Sequence, residues 1–140
     1  MMYLLDTNIW LELLLDREHA HEVKDFLLSV PSEMLCITDF SLHSIGVILG
    51  RLGSIPVFCD FISDLVINGS VFIIALKPSQ MNSLVEAMEM YHLDFDDAYQ
   101  YTASLESNLR LVSFDRDFNR TPCGRCTPAD ISRDHYSLSE

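Results

Sequence analysis

Short apolar runs alternate with longer stretches of helical periodicity along this chain. The runs at 2–5, 34–37, 71–76 and 110–113 have strand length and stand between polar or turn-forming residues. Between them, apolar residues recur at three- and four-residue intervals. Residues 9–15 read as an apolar helix, 18–29 and 38–51 have helix length, and either Thr38 or Asp39 suits the cap of the latter. Ser54-Ile55-Pro56 opens a helix in which Val57, Phe61 and Leu65, with Phe58 and Ile62, recur at i and i+4, and Asn68-Gly69 closes it. Pro78-Ser79 opens another, with Met81, Leu84, Val85 and Met88 on its core face and Glu86 and Glu89 opposite. The last long helix, over 94–108, turns Ala98, Tyr101, Thr102 and Leu105 inward. This alternation is that of βαβ units with a mostly parallel sheet. It predicts a four- or five-stranded sheet, the fifth strand falling near the C-terminus, in one domain over 1–140.

Composition narrows the classes. A chain of 140 residues that is 49% hydrophobic can bury a proper core. The apolar start carries Asp6 and Glu12 and lacks a basic leader, so it reads as a buried strand and helix rather than a secretory signal. No apolar run reaches the roughly 20 residues of a membrane span. Four scattered cysteines are too few for a disulfide scaffold; Cys36 and Cys59 sit in the apolar contexts of reduced core thiols, and a cytoplasmic location follows. Cys123-Gly124-Arg125-Cys126 has the spacing of half a zinc knuckle or a redox pair, but no second pair completes four ligands, and a structural role is the expectation.

Nine basic against twenty-one acidic residues give a formal net charge of −12, which argues against broad electrostatic binding of nucleic acid. Arg110, Arg116, Arg120, Arg125 and Arg133 gather late in the chain, as a basic zone beside an acidic crevice or as ordinary solvated surface. The acids themselves are clustered at Leu5-Asp6-Thr7-Asn8, Asp94-Phe95-Asp96-Asp97 and Phe114-Asp115-Arg116-Asp117. Asp6 and Asp115 follow apolar runs, and Asp97 lies in the first turn of a helix. In an open parallel sheet, ligands bind beyond the carboxyl ends of the strands, so Asp6 and Asp115 face one crevice. Two carboxylates about 5 Å apart repel by roughly 3 kcal/mol at an effective dielectric near 20, so several together call for a cation or shifted pKa values. Taken singly, each acid also has a plain reading as a helix cap or turn residue.

Three stretches in order, Leu4-Leu5-Asp6-Thr7-Asn8, Leu93-Asp94-Phe95-Asp96-Asp97-Ala98 and Leu111-Val112-Ser113-Phe114-Asp115-Arg116-Asp117-Phe118, make the chain resemble the PIN-domain ribonucleases, the family that includes the VapC-like toxins of toxin–antitoxin pairs. The resemblance spans nearly the whole chain. It implies a PIN-like three-layer α/β/α sandwich and metal-dependent hydrolysis of RNA phosphodiester bonds by in-line attack. Asp6, Asp97 and Asp115 become the catalytic metal-binding carboxylates, Asp117 a further ligand, and Thr7, Asn8, Asp94, Asp96 and Arg116 supporting groups. The ion implied is Mg²⁺ or Mn²⁺, hard cations that take oxygen ligands. The partners implied are an RNA substrate and a small antitoxin, with room for a homodimer and no role for a membrane.

The chain departs from the family at one place. The family usually carries a glutamate on the helix after the second strand, and here Thr38-Asp39-Phe40-Ser41-Leu42-His43-Ser44-Ile45-Gly46 holds none. The position falls at His43 or Ser44. His43 is either a satisfied buried histidine or, if it faces the acids, a neutral-nitrogen ligand or phosphate donor. The loss opens a second reading, an impaired PIN-like module that binds RNA or a protein without cutting. A phosphoacceptor receiver domain also gathers acids around Mg²⁺, but wants an acid pair after the first strand, where Asp6-Thr7 stands, and a Lys after the last, where Ser113-Phe114-Asp115 stands.

Overall fold

A computed structural model describes residues 2–138. Four strands, β1 (Tyr3–Leu5), β2 (Leu35–Thr38), β3 (Phe72–Ile74) and β4 (Arg110–Val112), form one parallel sheet in the order β3-β2-β1-β4. Among the described residues seven α-helices flank it: α1 (Thr7–Leu14), α2 (Ala20–Ser29), α3 (Asp39–Arg51), α4 (Ile55–Ile62), α5 (Met81–Tyr91), α6 (Phe95–Glu106) and α7 (Pro128–Leu138). The two-residue period of a strand sorts its side chains between two cores. Tyr3, Leu5, Leu35 and Ile37 face Ile9, Trp10, Val23, Phe26, Ile45 and Ile131 from α1, α2, α3 and α7. Leu4 and Cys36 face the other way, against Ala103 of α6, and α5 packs on α6 through Leu84, Ala87, Ala98 and Tyr101. The result is the parallel sheet that the alternation predicts, within the three-layer α/β/α sandwich that the family resemblance implies.

The C-terminal segment corrects one expectation. No fifth strand occurs among the described residues, because residues 128–138 are helical. Pro128 suits a first helical turn, and Thr127 and Asp130 exchange side-chain-to-backbone hydrogen bonds of 2.9 and 3.3 Å in the manner of a capping box. Single positions differ as well. Leu105, expected inward, is exposed, as are Val85 and Cys59, whereas Met81 and Met88 pack against the core. Of the two candidate caps for α3, Thr38 is the one used, its hydroxyl accepting from the Ser41 amide at 3.0 Å.

After α4 the helix widens into a π-type turn, Ser63–Ile67, before the chain enters β3. A Cβ added at Gly69 would lie 2.5 Å from the Leu65 carbonyl oxygen and 2.8 Å from that of Asp64. Backbone cannot yield as a flexible side chain does. Gly69→Ala is therefore expected to cost about 1–3 kcal/mol, read as a lowered urea midpoint with an unchanged slope.

Topology places the site. From β1 the chain winds outward through β2 to β3, then returns to set β4 on the other side of β1, so the winding reverses beside β1. A crevice opens at the carboxyl ends of strands where such a reversal occurs. Leu5 and Val112 are in register, and the Asp6 amide donates to the Val112 carbonyl at 2.9 Å, so residues 6 and 113 leave the sheet side by side.

Candidate metal centre

Each acidic stretch caps a helical element, and the caps meet. Asp6 is the N-cap of α1, accepting from the Thr7 amide at 2.8 Å. Asp94 caps α6 by accepting from the Asp97 amide at 2.9 Å, which places Asp97 in the first turn. Asp115 caps the 3-10 turn Arg116–Arg120 through a 2.9 Å bond from the Asp117 amide. The plain reading of each acid and the clustered reading are thus one geometry. Three helical elements start at the same end of the sheet, and their caps line one cleft of about 350 Å³.

The cleft is lined by Asp6, Thr7, Asn8, Phe40, Ser44, Asp94, Asp96, Asp97, Asp115 and Asp117, with Leu11 and Ile48 at its apolar side. Oxygens of Asp97, Asp115 and Asp117 lie within 4.8 Å of one another. Ligands on opposite sides of a cation bound at 2.1–2.5 Å stand roughly 4–5 Å apart, so these oxygens can share one ion. Asp6 sits deeper, 6% exposed, at the cleft floor. Arg116 is exposed and does not line the cleft. Arg120 does reach the site's margin, donating to Asp117 Oδ1 at 3.0 Å and to the His92 carbonyl at 2.7 Å. Arg125 and Arg133 serve local structure, donating to the Phe114 carbonyl and, one turn along α7, to Asp130.

Electrostatics within the cleft are unbalanced. Burial, with the charges of Asp115, Asp94 and Asp6 added to it, pushes the Asp97 carboxyl up to about 8. Burial also raises Asp6, against hydrogen bonds from Ser113, Gln100 and Thr7 that favour its charged form. Asp97 and Asp6, driven toward protonation by burial and by neighbouring charge, stand with Asp115 and Asp117 in a donor set made wholly of hard oxygen, and the residues fit Mg²⁺ or Mn²⁺ on those grounds. When bound, such an ion polarises a phosphate and lowers the pKa of a coordinated water.

The helix after β2 resolves the alternatives left for the missing glutamate. Ser44 lines the cleft, whereas His43 on the adjacent position is exposed and belongs to neither core nor cleft. The neighbouring Asp39, at the first position of α3, is turned to Tyr99, accepting from its hydroxyl at 2.8 Å. Ser44→Glu is expected to tighten Mn²⁺ binding about tenfold by adding a carboxylate within reach of the ion, with His43→Glu unchanged, as calorimetric titration of the two variants would show.

A buried polar group beneath the acids escaped the sequence reading. Gln100, 1% exposed, donates to Asp6 Oδ1 at 3.0 Å and to Ser41 Oγ at 2.8 Å, and accepts from Thr38 Oγ1 at 2.7 Å. Ser113 Oγ donates to Asp6 Oδ2 at 2.7 Å and accepts from the Asp115 amide at 3.0 Å, linking the two acids. The signal was present in the spacing. Gln100 lies three residues after Asp97, on the helix face that also carries Tyr101 and Ser104 into the core. Cys123 and Cys126 stand apart from the cleft, beside a small cavity of about 70 Å³ under α6 and β4; the Cys126 carbonyl accepts from the Ser113 amide at 2.9 Å.

Among solved structures, the chain is similar to a toxin–antitoxin complex from Klebsiella pneumoniae, at 23% identity and a TM-score of 0.73, covering 90% of this chain and 97% of that one. It is similar also to a Pyrobaculum aerophilum protein, at 17% identity and a TM-score of 0.69, over 98% and 96% of the two chains. A third likeness is to Mycobacterium tuberculosis VapC20, a sarcin-ricin loop cleaving toxin, at 14% identity and a TM-score of 0.72, over 86% and 95%. No curated protein sequence matches. These likenesses speak for the fold, and the sequence itself carries the lineage, since the PIN domain family model matches residues 3–122. The protein therefore belongs to the PIN domain family.

Proposed function

We propose that the protein is a Mg²⁺- or Mn²⁺-dependent endoribonuclease, the toxin of a toxin–antitoxin pair. One observation carries the reading: Asp97, Asp115 and Asp117 converge in the cleft whose floor is Asp6. Asp97, Asp115 and Asp6 are the carboxylates assigned to the ion, and Asp117 is a further ligand whose Oδ1 accepts from Arg120 at 3.0 Å. Asn8 steadies the floor, its Nδ2 donating to Ser113 Oγ at 3.2 Å and its Oδ1 accepting from the Phe114 amide at 3.3 Å. The chemistry is in-line hydrolysis of a phosphodiester.

The cleft wall speaks to the substrate. Among the described residues no basic side chain lines it, but Phe40 does, and Phe95, 50% exposed, stands between the cleft residues Asp94 and Asp96. On a chain of charge −12, base stacking on aromatic rings is the sequence-tolerant contact available to single-stranded RNA. The acidic surface also suits a basic antitoxin that associates quickly and sets an Arg or Lys against the carboxylates. The solved toxin–antitoxin relatives support such a partner, and no helix of the described residues is long and apolar enough to cross a membrane. Free thiols at Cys36, Cys59 and Cys123 accord with a reducing cytoplasm.

Ser44, in place of a carboxylate, favours the second reading, a PIN-like module that binds RNA or a partner with little or no cleavage. Incubation of purified protein with single-stranded RNA in Mn²⁺ or in EDTA separates them. Cleavage that stops in EDTA supports the nuclease; cleavage that persists in EDTA overturns the metal mechanism, and RNA retained but uncut in Mn²⁺ supports the module.

A further inference from the structure

Asp6 has two oxygens, and the surrounding hydrogen bonds treat them differently. Oδ1 accepts from the Thr7 amide at 2.8 Å and from Gln100 Nε2 at 3.0 Å, which occupies both of its lone-pair directions. Oδ2 accepts from Ser113 Oγ at 2.7 Å, with Asn8 Nδ2 only at a distant 3.5 Å. A lone pair remains on Oδ2.

The orientation of the Gln100 amide follows from its partners. Thr38 Oγ1 accepts from the Ser41 amide at 3.0 Å and so has its own proton to give, which goes to Gln100 Oε1 at 2.7 Å. A carboxylate can only accept, so the amide nitrogen must face Asp6. The second Nε2 proton reaches Ser41 Oγ at 2.8 Å, itself 2.8 Å from Thr7 Oγ1. Every polar atom of the Gln100 side chain is therefore committed. The ends of β1 and β2 and the starts of α1 and α3 are tied through it to α6.

We propose that Gln100 is a positioning residue for the metal centre: held by Thr38, it engages Asp6 Oδ1 and so leaves Oδ2 as the single oxygen that Asp6 presents to the divalent ion. The inference rests on the metal-centre reading above and adds to it a residue that does not touch the ion. Outer partners that orient a ligating carboxylate commonly matter by 10–100-fold in metal affinity.

The test is a double-mutant cycle on Mn²⁺ affinity, measured by calorimetry on the intact protein with the metal alone. Gln100→Met, similar in length but without donors, is expected to weaken Mn²⁺ binding about tenfold or more, and Asp6→Asn to weaken it further. In the Asp6→Asn background Gln100→Met should then change affinity by less than about twofold, because its route to the ion is gone. Equal losses in both backgrounds mean that Gln100 merely supports the fold, and the inference is overturned. Unchanged affinity in Gln100→Met beside a weakened Asp6→Asn overturns it too, leaving the metal centre standing. If Asp6→Asn itself binds Mn²⁺ normally, the assignment of Asp6 falls and the inference with it. Should Gln100→Met fail to fold, Thr38→Val, which removes the hydroxyl fixing the amide, must weaken Mn²⁺ binding while Thr38→Ser preserves it; equal affinity in these two rejects the role.

Discussion

Asp97→Asn is expected to lower metal-dependent RNA cleavage at least 100-fold while making the metal-free protein more stable at pH 8. The two effects share a cause. Burial and the charges of Asp115, Asp94 and Asp6 hold the Asp97 carboxyl at about 8, far above the ordinary range of an aspartate. The folded state consequently binds a proton that the unfolded chain has lost, and the stability this group confers falls as pH rises from about 4 to about 8, then levels. An amide carries no charge to repel its neighbours. For a half-exposed group the gain at pH 8 is screened to about 1 kcal/mol, or a few degrees in melting temperature for a domain of this size. The same amide is a poor ligand, so the stabilisation that Mn²⁺ gives the wild type by mass action should disappear. Melting curves at pH 5 and pH 8, with and without Mn²⁺, check this. A variant that melts below wild type at pH 8 without metal would show that Asp97 is not under the repulsion described.

Mn²⁺ affinity of the wild type is expected to fall by up to about 100-fold between pH 8 and pH 6. Below the Asp97 value of about 8, the ion must displace a proton from that carboxyl, and each unit of pH then costs about tenfold in apparent affinity. Above pH 8 the dependence flattens. Calorimetry in buffers of different ionisation enthalpy should record about one proton released per ion at pH 6.5 and fewer at pH 9. Asp97→Asn, having no proton to displace, should bind weakly with a much shallower slope. A flat profile in the wild type would place the ion elsewhere than on Asp97.

How much of this was legible beforehand differs by residue. The central strands β1 and β2 showed as short apolar runs because a parallel sheet covered on both faces needs no polar alternation there, and Leu4, Leu5, Leu35 and Ile37 are all but fully buried. Helix starts showed as Thr38, Pro56 and Asp94 because capping and first-turn preferences are local chemistry. Cys59 and Val85 misled because an apolar residue on a surface helix has no local signature of which way it points. The same holds for Leu105, one turn beyond the buried stripe of α6.

For the site, the sequence alone supplied its acids and their order, since Asp6, Asp94 and Asp115 stand at element boundaries that periodicity and capping reveal. It could not say whether the three starts meet. That depends on the sheet order β3-β2-β1-β4, which reverses the winding beside β1 and sets residues 6 and 113 together. Long-range packing likewise decided between His43 and Ser44, because one residue along a helix is a rotation of about 100° and only the docked helix defines what each side faces. Gln100 is the clearest case. In the sequence it is one polar residue of a helix that also carries Thr102 and Ser104; buried between Asp6, Ser41 and Thr38, contributed by other elements, it becomes a support of the proposed metal centre, since an amide's role is set by the partners that enclose it.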